Sequence, residues 1–145
     1  MHKIVKCATV SIIVICIFIT YKHFTYNFYH TNGEKEGELV TSPNGAYSAQ
    51  LYIQSYGGAA GGVNIFVNVT FHLENDVERT VYYSDGKSNV RLSWLDESSL
   101  EITNYDAYTD RSVALKVENE IYDENGGACR TYTIKKEYVC YSTSS

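Results

Sequence analysis

Six apolar residues at strict period two, Val63, Ile65, Val67, Val69, Phe71 and Leu73, run through the middle of the chain, with Asn64, Asn68, Thr70, His72 and Glu74 among the residues between them. Such alternation sends successive side chains to opposite faces and predicts a half-buried strand. Tyr47, Ala49, Leu51 and Ile53 repeat the pattern upstream. Shorter runs predict strands near residues 81–83, 90–94, 100–102 and 113–117. Turn formers separate them: "SPNG" at 42–45, where proline fixes one φ and Asn44 and Gly45 accept unusual angles, then "ENDVE", "SDGKSN" and "DESS", and a looser "NYDAYTDR". Residues 129–141 stay open, since Tyr132 and Ile134 suit a strand while Ile134, Tyr138 and Tyr141 suit a helical turn. No stretch after residue 30 carries a long amphipathic stripe. The pattern predicts an all-β body, a small antiparallel sandwich or curled sheet of about six to seven strands. Roughly 100 residues cannot supply the four blades of a propeller, and no repeat of solenoid period exists.

The first 29 residues follow a different pattern. Lys3 and Lys6 precede an uncharged run at 7–21, and Lys22 follows it. That run spans roughly 22 Å as a helix, and Ile4 and Val5 extend it toward the ~30 Å of a bilayer core. Phe24, Tyr26, Phe28 and Tyr29 would form an interfacial aromatic belt. A cleavable signal peptide lacks a small-x-small site here, and Ile15 before Cys16 spoils a lipoprotein site. The expected organisation is a signal anchor or transmembrane helix with aromatic flank (1–29, membrane contact through 4–21), a polar tether (30–41) and an extracytoplasmic β domain (42–145). The alternative is the same domain secreted after cleavage.

Composition sharpens this. The chain carries a net charge of −5, but from Thr31 onward 9 Lys and Arg face 17 Asp and Glu, so the body is near −8. An acidic body argues against nucleic acid, which a basic face must bind. Fourteen tyrosines suit strands and amphipathic surfaces.

The candidate chemistry is thin. "YGGAAGG" at 56–62 contains four glycines, but a strand follows it and it has no lysine, so it is not a phosphate loop. It reads as a hairpin bend whose small residues let another molecule approach, with Tyr56, Gly57, Gly58, Gly61 and Gly62 as contact residues, joined by Tyr82 and Tyr83, one of which must face away from the core. His72 and Glu74 would share one strand face, yet the other histidines lie at 2, 23 and 30, so no metal site and no cofactor is expected. "YDENGGA" at 122–128 lacks the glutamate that closes a calcium loop, because Ile134 holds that place. No G-x-S-x-G elbow or other catalytic set is present. Asn68-Val69-Thr70 is a formal glycosylation sequon in mid-strand. Cys129 and Cys140 are the only cysteines outside the apolar segment, which holds Cys7 and Cys16. On an oxidising side they predict a disulfide contributing about 3 kcal/mol.

"SPNGAYSA", "YGGAAGGVNIFVNVTF", "VYYSDGKSNVRLSWLDE" and "EIYDENGGACR…YVCY" together resemble small membrane-anchored extracytoplasmic proteins of Gram-positive spore-formers, grouped as domain-of-unknown-function family 5412. The resemblance covers residues 42–141 and implies a location but no activity. The expectation is a non-enzymatic binding or interaction module for an envelope protein or cell-wall ligand. The alternatives are a hydrolase of envelope polymers using turn carboxylates such as Asp85, Asp96 or Asp123, and an accessory subunit of a membrane complex.

Overall fold

The computed structural model describes residues 11–21, 28–135 and 138–143. A helix (α1) covers 11–21, and its residues are exposed. No helix among the described residues is long and apolar enough to cross a membrane. The transmembrane segment expected over 4–21 is therefore described only in its second part, as a helix of about 16 Å.

Nine strands follow among the described residues: β1 (Glu34–Thr41), β2 (Tyr47–Tyr56), β3 (Gly62–Phe71), β4 (Val77–Asp85), β5 (Asn89–Trp94), β6 (Ser99–Tyr105), β7 (Val113–Lys116), β8 (Glu120–Asp123) and β9 (Val139–Tyr141), with a second helix, α2 (Gly127–Lys135), before the last. They form a six-stranded sheet in the order β1-β2-β3-β4-β8-β9 and a three-stranded sheet β5-β6-β7. The all-β expectation holds with more strands than predicted. The sheets are not wholly antiparallel, because β8 pairs parallel with both β4 and β9. Residues 129–141 contain both of the open alternatives, a helix and then a strand.

The two sheets bury one core. Ala49 and Leu51 of β2, Ile65, Val67, Val69 and Phe71 of β3, Leu100 and Ile102 of β6 and Leu115 of β7 meet between them. β2 and β3 pair in unbroken register from Tyr47↔Phe71 to Tyr56↔Gly62, so their alternation sends one apolar set inward. The register shifts at Val67/Asn68 opposite β4, and the bulge turns both Val81 and Tyr82 inward. The alternation ends earlier than predicted. Residues 72–74 form a 3-10 turn, Leu73 is 86% exposed, and His72 bonds Ser48 and Asp76 instead of sharing a strand face with Glu74.

The expected tether at 30–41 is part of the fold. Glu34–Thr41 pairs with β2 as edge strand β1, despite its charges, because an edge strand needs only one pairing side. Ahead of it, residues 28–33 cross the outer face of the large sheet as a strap. Phe28 is buried against Ile121, Ala128 and Tyr132 rather than free for an aromatic belt, and its amide donates to the Tyr132 hydroxyl. Phe24 and Tyr26 lie outside the described residues. The His30 amide donates to Thr80 Oγ1, Thr80 donates to Asn68 Oδ1, and Asn68 Nδ2 donates to the His30 carbonyl. Side chains thus satisfy the strap's backbone where no ladder can. Asn68 is 3% exposed with both its amide oxygen and nitrogen hydrogen-bonded, which closes the sequon in the folded chain.

Candidate functional site

Strand connectivity gathers the β2–β3 hairpin tip, the start of β1 and the β4–β5 turn at one end of the sandwich. The tip's glycines answer to the loop itself. Gly57 and Gly58 hold φ of 77° and 60°, the left-handed region that glycine enters without penalty. A Cβ on Gly61 would collide with the Tyr56 carbonyl, and one on Gly62 would lie 2.5 Å from the Tyr56 hydroxyl oxygen. The loop closes as a 3-10 turn at Gly58–Ala60, under the half-exposed Tyr56 ring.

Three concavities meet around this end. One of about 360 Å³ is lined by residues 55–58 and 61–63. Another of about 440 Å³ lies between residues 32–34 and 53–55. The third, about 370 Å³, opens between the sheets: Leu51, Ile53, Val63, Ile65 and Val90 form an aliphatic floor, with Glu36 and Lys87 at the rim. Gly86 makes this cleft possible, since its amide donates to the Val63 carbonyl and a Cβ there would stand 2.9 Å from an Ile65 methyl. Lys87 pairs with Asp85 at 2.7 Å, and that bond holds the ammonium above its ordinary pKa.

Tyr56, Gly57, Gly58, Gly61 and Gly62 are therefore brought together, but Tyr82 and Tyr83 part company. Tyr82 is fully buried and cannot be a contact residue. Its hydroxyl donates to the Arg111 carbonyl and accepts from Asn104 Nδ2, and burial pushes its pKa up to about 12. Tyr83 faces the other way, stacked on His30 at 4.4 Å under the strap. Behind Tyr82 lies a polar network that pins the two sheets together. Asn104 also donates to Ser84 and the Asp85 carbonyl, and Glu124 accepts from Ser84, the Asp85 amide and Arg111. Burial alone would raise the Glu124 carboxyl, but these donors together hold it below its ordinary value.

The turn carboxylates are each committed locally. Asp85 and Asp96 lie beyond opposite ends of β5, about 20 Å of strand apart, whereas the paired carboxylates of a glycosidase stand at roughly 5 to 9.5 Å. Asp96 accepts from the Ser98 and Ser99 amides, which lower its pKa. Asp123 is 4% exposed and accepts from the Asn125 and Ala128 amides, so "YDENGGA" is a turn into α2. No cluster of three His, Cys, Asp or Glu that could hold a metal forms among the described residues. Cys129 and Cys140 form a disulfide joining α2 to β9.

Sequence reasoning found the hairpin tip and missed the cleft. Its floor comes from the inward residues of two strands plus Val90 of the other sheet, a juxtaposition that depends on how the sheets splay. "SDGKSN" carried one signal, a glycine between strands where close approach is needed. Neither a curated protein nor a solved structure matches the chain. A family model does, over residues 1–127, ending ahead of Ala128, Tyr132 and both disulfide cysteines. The chain belongs to that family, a family of unknown function, DUF5412.

Proposed function

We propose that the chain is a membrane-tethered extracytoplasmic β domain working as a non-enzymatic interaction module, with its contact surface at the hairpin end. The observation that carries this is the convergence of three concavities on Ile53, Ser55 and Val63, one of them an aliphatic cleft with a charged rim. That cleft, about 370 Å³ with an aliphatic floor and a few polar groups at its rim, has the usual form of a recognition site, whereas the other two are lined mainly by glycine and polar residues. The tether is supported by α1, whose Ile12, Ile13, Val14, Ile15, Ile17, Phe18 and Ile19 are all more than half exposed and need an apolar cover. Lys3 and Lys6 ahead of it support an N-inside orientation.

One experiment tests place and role together. In intact cells carrying Cys7→Ala and Cys16→Ala, a membrane-impermeant maleimide should label Cys129 and Cys140 only after external reduction. A photo-crosslinker at Ser88 should capture a discrete product there, and one at Leu73, exposed in the turn at the opposite end of β3, should not. Labelling only after lysis would remove the extracytoplasmic placement. Equal capture from both positions would remove the hairpin end as the contact surface.

A further inference from the structure

Of the four sheet edges, three are guarded. β1 is broken by a bulge between Glu36 and Val40 and carries Glu34, Lys35, Glu36 and Glu38. β9 has three residues, and β7 has four and runs beside β8. These are the ordinary protections against unwanted strand pairing. β5 has six residues in unbroken register and one charge, Arg91, and although it touches β1, where Trp94 reaches Val40, it pairs with no strand on that side.

The hydrogen bonds of β6 show which β5 groups are bare. The Asn104 amide donates to Ser112 Oγ and its carbonyl accepts from the Arg111 amide, so the Asn104 backbone faces away from β5. Val90, opposite Asn104, is therefore a non-hydrogen-bonded pair with β6. Alternation gives Leu92 and Trp94 the same orientation, and the Leu95 amide donating to the Ser99 carbonyl fixes the same phase. The N–H and C=O groups of Val90, Leu92 and Trp94 thus point off the free edge, and none meets a backbone partner among the described residues.

This edge borders the cleft. Val90 lines it from β5 and Glu36 from β1, while at the far end Trp94 Nε1 donates to the Val40 carbonyl and shuts the gap. We infer that β5 accepts an extended segment of another protein as an added strand, with an apolar side chain in the cleft and a basic one against Glu36. Strand addition draws its affinity from main-chain bonds and its specificity from pockets for alternate side chains, and Val90 and Leu92 beside the cleft supply both. Glu36 at the cleft rim sets the preference for a basic segment, since the rim's Lys87 is already paired with Asp85. A second copy fits poorly: its outward β5 residues, Asn89, Arg91 and Ser93, offer nothing apolar, and both bodies are acidic.

The inference rests on the interaction-module reading, and its test is blind to membrane location, so the two fail separately. The full chain in zwitterionic nanodiscs is titrated with acetyl-(Lys-Val)4-amide, read by Trp94, the only tryptophan. The expected result is a saturable shift of Trp94 emission with slowed amide exchange at Val90 and Leu92. Val63→Phe, which fills the cleft, and the acidic peptide (Glu-Val)4 should each weaken binding about tenfold. Equal binding by a peptide N-methylated at alternate residues, which cannot extend a ladder, would overturn the inference. So would no response from a chain shown to be folded, or protection of Val90 and Leu92 in a peptide-free dimer.

Discussion

The large sheet is covered on both faces, but by unlike means. Its inner face meets a second sheet, and thirteen buried residues, twelve from six strands and Val117 just after β7, form one contiguous core there. Its outer face is covered by a strap and a nine-residue helix, and the cluster beneath them, Phe28, Ile121, Ala128 and Tyr132, has four buried members. The inner face is held by area, and the outer cover by a disulfide, one Tyr132 hydroxyl and the Asn68–Thr80–His30 bonds. A cluster that small cannot offset the entropy of ordering a strap and a helix, so it needs staples, as very small domains do.

The largest effect should come from breaking the inner face. Leu115→Ala removes a fully buried side chain of the three-stranded sheet, which rests on the other sheet through such contacts. It should cost about 2 to 5 kcal/mol in urea unfolding and lower amide protection in both sheets. A loss below about 1 kcal/mol would mean the site collapses without a cavity, and the contrast between the faces would weaken.

Next comes the disulfide. Cys129→Ser with Cys140→Ser should cost about 3 kcal/mol or less, the chain-entropy value for a loop this short. The loss should be local. Exchange should quicken along α2, β9 and the Phe28 amide, while β3 and β6 keep their protection. Uniform loss would show one cooperative unit. A smaller change of the same kind is expected from Gly33→Ala. A Cβ there would stand 2.7 Å from Cε1 of Phe66, a ring with no exposed surface. The strap must lift or the ring must shift, at about 1 to 3 kcal/mol, and Phe28 exchange would report it before β6 did.

The two faces also differ in what the sequence reveals. The inner face is written in period two, and the unbroken β2–β3 register follows from it. The strap has no period. Phe28 reads as an aromatic beside a membrane segment, and nothing local says that its partner is Tyr132, 104 residues away. β1 was hidden because its charges belong to an edge, where one side of the strand meets water. Phe66 sits among the polar residues of its strand and breaks the alternation, and it does so because the strap buries that side too. The hairpin tip was legible, since glycines clustered between two strands can mean little else. The cleft and the bare edge of β5 depend on sheet splay and hydrogen-bond phase, which no single strand encodes.

The smallest effect concerns the strap's imidazole. His30 stacks on Tyr83 and lies 5.3 Å from the Phe28 ring and 5.6 Å from Phe66. Burial lowers its pKa below the ordinary 6.5, and Asp123 opposes that only in part. The unfolded chain therefore takes up this proton at higher pH than the folded one, so stability falls as pH falls. The contribution is fully present above 6.5 and is lost progressively as pH drops from there through the folded value. Because the ring packs only under the strap, the loss should register at the outer cover: Phe28 and Ala128 exchange should quicken on acidification while β6 holds. His30→Phe keeps an aromatic in the stack and removes the proton site, so it should flatten that dependence. An unchanged slope in His30→Phe would assign the acid sensitivity to other groups, and quickening in β6 alongside Phe28 would show that protonation reaches both faces at once.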